Sequence, residues 1–191
     1  YMLAQHGRFE KHCGYEPAVR SPLLIRYPGK IKPGQSTQAL VEFIDIFPTV
    51  LDYAGVSIPT NVHGKTLSSI LSGKASSHRE QVFIEYSENE EAYVRSDRWK
   101  FIYGTGKRVR EDGYVTDHPL PGRTIQLYDL ESDPEEMKNL AAEEKYSKLV
   151  AGFTGQLAAH LKRTARQPDL IPHTDDVHVI LEFCLQPRDL A

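Results

Sequence analysis

The rhythm of apolar and polar positions changes once along the chain, near residue 80. Before that point apolar residues come in short clusters set among turn residues. "PLLIRY" (22–27) is a continuous apolar run behind a proline, and predicts a buried strand. "PGKIKPGQ" (28–35) reads as a turn-rich connector. In "VEFIDIFPTVLDYAG", Asp45 suits an N-cap, Pro48 suits only a first turn and Gly55 suits a helix stop. That stretch predicts a helix over 46–54 with Val50, Leu51, Tyr53 and Ala54 as its apolar face. "LSSILSG" (67–73) predicts a shorter helix with the same Gly stop.

Beyond residue 80 the pattern turns to short Tyr-, Val- and Ile-rich runs bounded by turn residues. These are 81–87, 92–97, 99–106 and 124–130, and they predict an antiparallel meander. The stretch 107–123 reads as a long polar loop. "DPEEMKNL" (133–140) reads as a capped helical turn with Pro134 at its first position. Leu149, Phe153, Leu157 and Leu161 recur every four residues, which predicts a helix over 143–163 whose stripe packs on the meander. Tyr86, Tyr93, Trp99 and Tyr103 then belong to the meander core rather than to a sugar platform.

Composition narrows the classes. With 191 residues the chain holds about one domain and a small subdomain. A net charge of −3 excludes a dedicated nucleic-acid binder, which carries a basic patch. No apolar run approaches the roughly 20 residues of a membrane span. Cys13 and Cys184 form no disulfide framework and no zinc spacing, so two thiols are expected. No G-x-S-x-G elbow, P-loop or H-E-x-x-H string occurs.

Three marks change the weight of a lone lysine. Residues 3–29 carry Leu3-Ala4-Gln5-His6-Gly7, Lys11, Tyr15-Glu16, Arg20, Pro22-Leu23 and Pro28-Gly29. Residues 45–55 carry Asp45, Ile46, Pro48, Thr49, Leu51, Asp52, Ala54 and Gly55. Residues 127–140 carry Leu127 to Leu130, Asp133-Pro134, Glu136 and Asn139-Leu140. In this order they resemble the sulfatase family of the alkaline-phosphatase superfamily.

The resemblance implies an α/β, alkaline-phosphatase/sulfatase-like fold of which this chain is the C-terminal part. Residues 1–75 would complete the edge of the large mixed sheet at the end of the catalytic domain. Residues 76–191 would form a small antiparallel subdomain backed by the helix over 143–163. The family's nucleophile is a formylglycine made in a C/S-x-P-x-R motif, which is expected upstream together with most ligands of a divalent metal, calcium by resemblance. No metal is expected on this chain. "CLQPR" (184–188) has its proline one position late and is rejected as the nucleophile site.

The implied activity is sulfuric ester hydrolysis on a sulfated carbohydrate, with the N-terminal portion of the same protein as partner and a periplasmic, secreted or lysosomal setting. Two alternatives stay open: a phosphonate or phosphate monoesterase of the same superfamily, and a non-catalytic structural lobe. Lys11 stands at the family's sulfate-contacting lysine. An ammonium there can stabilise the charge that develops as the ester breaks, and can supply a proton to the leaving oxygen. His12 is a candidate for a hydrogen bond to substrate, beside a reading as a loop histidine. Tyr1 is a candidate pocket residue, and His6 is expected to brace the loop. Arg95 and Arg98 are further candidates for an anionic substrate. Asp45 and Asp52 are assigned to helix capping and surface exposure, and His173, Asp175, Asp176 and His178 to a polar surface loop.

Overall fold

The computed structural model describes residues 2–7, 11–107 and 122–186. Tyr1, the bulk of the 107–123 loop and the end of the "CLQPR" string lie outside them. The chain divides into two compact units, residues 1–21 with 83–191, and residues 22–82.

In the first unit a short helix, α1 (Glu16–Val19), follows the N-terminal segment. The sheet runs in the order β1 (Gln81–Tyr86), β2 (Glu91–Ser96), β3 (Trp99–Gly104) and β4 (Thr124–Asp129). β2 and β3 pair antiparallel with Val94 opposite Phe101, and β3 pairs antiparallel with β4 with Phe101 opposite Leu127. Side chains alternate across a strand, so Ala92, Val94, Phe101, Tyr103 and Leu127 share one face. The second face carries Tyr93, Arg95, Lys100, Ile102 and Tyr128. A long helix (Ser147–Thr164) and a C-terminal helix (Val177–Leu185) cover the first face. Phe153, Leu157, Leu161, Ile180, Leu181 and Leu185 pack there with the sheet residues, and the rings of Phe101 and Phe153 stack at 5.8 Å. Met2, Cys13 and Tyr15 cover the second face against Tyr93, Ile102 and Tyr128. The sheet is therefore buried on both sides. Cys13 and Cys184 border opposite faces and do not pair.

The stripe of Phe153, Leu157 and Leu161 packs as its spacing predicts. Tyr93 and Tyr103 lie in the core, and Trp99 packs at its edge against Tyr146. The polar loop expected over 172–178 holds for 172–176, and its last two residues open a helix over Val177–Leu185. Asp176 caps it, accepting from the N–H groups of His178 and Val179 at 2.9 and 3.4 Å. The turn expected to be helical at 133–140 is not helical. Glu136 there adopts a left-handed φ of 58° and turns its carboxylate inward, which no helix permits.

In the second unit the helix predicted over 46–54 spans Ile46–Tyr53, and that over 67–73 spans Ser68–Leu71. In chain order these are α2 and α3, and the two helices of the first unit's cover are α4 and α5. Gly55 ends α2 with a φ of +70°, as a C-terminal stop requires. Residues 22–27 form no strand, because no strand pairs with them among the described residues. Leu24 is left 90% exposed.

Asp45 caps, but not as expected. It is the N-cap residue of α2 without a side-chain cap bond there, its carboxylate closes the capping box of the 3-10 turn Phe43–Asp45, and it is 0% exposed. It accepts from the N–H groups of Glu42 and Lys65 at 2.9 and 2.8 Å. His78 Nε2 lies 3.2 Å away, and the Arg79 guanidinium bonds both carboxylate oxygens. Thr49 completes the arrangement: its hydroxyl donates to the Asp45 carbonyl and accepts from the Leu67 N–H at 2.9 Å. Asp52 stays at the surface, where the Thr66 hydroxyl donates to it.

Candidate functional site

Lys11 and His12 open a segment that the first unit holds firmly. Lys11 is exposed, His12 is half-buried, and Cys13, Gly14 and Tyr15 are buried. Gly14 is required by contact. A Cβ at that position would stand 1.9 Å from the Tyr93 ring on β2, a distance no packed side chain tolerates. Tyr15 donates to Gln126 Oε1 on β4 at 3.2 Å and meets the ring of Tyr128 edge-on. His6 stacks on Tyr15 with centroids 4.0 Å apart, a bracing contact for the loop before Lys11.

Two anchors bracket the segment. At its start, Asn89 Nδ2 donates to the His12 carbonyl at 2.9 Å, and the Tyr86 ring stacks on the His12 imidazole at 5.2 Å. Both come from the β1–β2 connection, where Ser87–Asn89 makes a tight turn. At its end, the fully buried Lys100 of β3 donates to Glu16 Oε1 at 2.6 Å and lies 3.7 Å from Glu136 Oε1. Glu136 Oε2 accepts the Glu16 N–H at 2.7 Å, and Arg95 lies 3.6 Å from Glu16. Burial pushes the Glu16 carboxyl up, but the charges of Lys100 and Arg95 and the Lys100 hydrogen bond outweigh it and hold the group below its usual range. Burial pushes Glu136 up, and there the nearby cation does not fully offset it.

This cluster was not foreseen, although Glu16 and Glu136 belong to two of the sequence marks. The third member, Lys100, sits on a strand face that reads as solvated until its cover is known. Asn139, from the same mark as Glu136, accepts from the Leu127 N–H and donates to the Ile125 carbonyl, which ties the turn to β4.

Other expected sites are occupied by structure. Arg98 grips Asp129 with two hydrogen bonds of 3.0 and 2.7 Å and lies over the Trp99 ring. Arg95 bonds the Ser96 carbonyl and pairs with Glu16. His178 meets the Tyr103 hydroxyl through Nδ1 at 3.3 Å. Tyr1 lies outside the described residues. Among the described residues no group of three or more His, Cys, Asp or Glu side chains could hold a metal ion.

What the arrangement supplies is one exposed ammonium with a histidine beside it, on a backbone fixed to a two-sided sheet.

Residues 4–164 match the family described as N-sulphoglucosamine sulphohydrolase, C-terminal. The chain is 32% identical over 152 residues to an N-acetylglucosamine-6-O-sulfatase of Bacteroides thetaiotaomicron, covering 78% of this chain and 26% of that protein. It is 33% identical over 154 residues to arylsulfatase K of Mus musculus, covering 74% of this chain and 25% of that protein. The chain thus spans about a quarter of the length of these relatives. A solved protein in complex with its substrate D-glucosamine-2-N,6-O-disulfate superposes with a TM-score of 0.72 at 27% identity, over 90% of this chain and 34% of that one. A phosphonate monoester hydrolase of Silicibacter pomeroyi shares the fold, with a TM-score of 0.58 at 24% identity, over 78% of this chain and 30% of that one.

Proposed function

The chain belongs to the N-sulphoglucosamine sulphohydrolase C-terminal family of sulfatases, and on that premise we propose that its parent protein is a sulfuric ester hydrolase acting on a sulfated carbohydrate. The relatives are sulfatases over three quarters of the chain, and the likeness in fold extends to a protein solved with a sulfated glucosamine.

Lys11 is the residue to which we assign a role in the reaction. Its ammonium contacts the sulfate, offsets charge as the bond to the leaving oxygen breaks, and donates a proton to that oxygen. Lysine suits this as a compact charge on a long stem. His12 hydrogen-bonds the leaving group. The observation that carries this reading is the fixed backbone beneath an exposed Lys11, with Gly14 seated on Tyr93 and the His12 carbonyl held by Asn89. Preorganised charge of this kind needs no rearrangement as the reaction proceeds. The formylglycine and a divalent metal, calcium by resemblance, are assigned to the N-terminal portion of the protein. That portion is also the partner we assign to the apolar side chains that residues 22–82 leave exposed. A periplasmic, secreted or lysosomal setting accords with the family.

The test is Lys11→Ala in the full-length protein, against aryl sulfates of graded leaving-group ability. The expected loss in kcat is roughly 10²-fold for poor leaving groups, the scale of removing one charge-stabilising or general-acid group, and smaller for good ones. An equal loss across the series would confine Lys11 to sulfate binding.

A further inference from the structure

We propose that Asn89 is a positioning residue for the reaction, fixing Lys11 and His12 through its hydrogen bond to the His12 carbonyl. The inference rests on the role given to Lys11 above and adds to it the group that sets its position.

Asn89 reaches the segment from 77 residues away in sequence, across the tight turn between β1 and β2. Its side chain is 1% exposed. Nδ2 makes the 2.9 Å bond to His12, whereas Oδ1 is buried and meets no donor among the described residues. A buried carboxamide with an unmet acceptor costs stability. A side chain kept for folding alone would be better replaced by an apolar one. Its one evident return is the fixed His12 carbonyl, one residue from the reacting ammonium. The same connection supplies Tyr86, whose ring lies against the His12 imidazole. The β1–β2 turn therefore holds His12 by both its backbone and its ring. Small displacements of a reacting group cost rate steeply, which gives the anchor its leverage.

Stability and catalysis should then separate. In the full-length protein, Asn89→Ala should lower kcat on a poor-leaving-group aryl sulfate about 10-fold or more. KM should stay within about twofold, and any fall in melting temperature should be small, because losing the unmet oxygen offsets part of the cost of losing the bond to the His12 carbonyl. Asn89→Asp keeps the shape but sets a carboxylate oxygen against the His12 carbonyl, and should lose at least as much; it also serves if Asn89→Ala fails to fold. The double variant Lys11→Ala/Asn89→Ala should lose less than the product of the two single losses, since Asn89 acts in part through Lys11. Additive losses in the double variant would overturn the inference, as would unchanged kcat in both Asn89 variants, or a loss of activity that tracks a loss of melting temperature. A large loss in Lys11→Ala with full activity in Asn89→Ala would sink the inference and spare the lysine. Full activity in Lys11→Ala with a loss in Asn89→Ala would sink the lysine reading instead and leave His12 as the group that Asn89 holds.

Discussion

At the scale of single residues, the buried charges at Lys100 separate two glutamates that look alike in sequence. Glu16 is held ionised by the ammonium 2.6 Å away, whereas burial raises Glu136 toward its protonated form. Glu136→Gln should therefore cost less than Glu16→Gln, because the amide carbonyl still accepts the Glu16 N–H. Glu16→Gln leaves Lys100 buried beside a neutral amide, and should cost about 3 kcal/mol or more, the scale of breaking a buried pair. Denaturant unfolding of both variants checks the order, and equal costs would contradict it. Lys11 stood out in the sequence through its place in a mark, and its role is the proposal made above. Lys100 was not. In "WKFIYG" it alternates with apolar residues as a solvated side chain would, and only the N-terminal segment laid over that face makes it internal. Asn89 was hidden for a similar reason. A polar residue in "SENEE" reads as an ordinary turn, and its contact with His12 is not local.

At the scale of elements, the meander, the helix over 46–54 and the stripe on α4 were all legible, because each rests on local periodicity and local stop signals. The elements that differ depend on partners distant in sequence. Residues 133–140 fail to coil because Glu136 turns toward Lys100 and Glu16. The run 22–27 has strand composition, but a strand needs a neighbour and none pairs with it among the described residues. α5 carries β-branched residues that obscure a helix, and Asp176 was the signal available for it. The anchor of the second unit is Asp45, and it makes that unit acid-sensitive. Burial pushes its carboxyl up, but Arg79 and the N–H groups of Lys65 and Glu42 more than offset this, so the folded group titrates below the usual aspartate range. A depressed folded pKa contributes stability that is complete above the unfolded value and lost as pH falls through the folded one. Hydrogen exchange over 42–79 should therefore accelerate as pH drops below the ordinary aspartate range, after correction for intrinsic rates. Asp45→Asn should weaken the unit at neutral pH by about 3 kcal/mol and flatten that acid dependence. An unchanged pH profile in the variant would show that other groups carry it.

At the scale of the whole molecule, the reading proposed above gives the 191-residue chain an ammonium for the reaction but not its nucleophile. Purified alone, it should leave aryl sulfates intact, and turnover by material free of longer protein would refute that assignment. Phe43, Ile44, Phe47, Val50 and Val56 are each about half exposed or more, and Leu24 is almost wholly so. Apolar surface on this scale is an association liability, so light scattering should show growth in mass with concentration. A monodisperse monomer with slow exchange across Leu23 to Tyr27 would count against the role given to that surface. Residues 1–21 matter to this scale as well. Met2, Cys13 and Tyr15 of that segment cover one face of the sheet, and a piece lacking them would bare Tyr93, Ile102 and Tyr128 to water.

The hidden carboxylate of Asp45 bears on how such proteins are sorted. Asp45, Pro48 and Thr49 are among the letters by which a reader recognises the lineage, and all three are buried in the framework of their unit. Selection on folding alone would preserve them. A descendant that had abandoned hydrolysis, while its shape remained useful, would still spell the same signature. On the role proposed for Lys11, ancestry and competence are written at different positions: the first in letters turned inward, the second in those that, like Lys11, face outward.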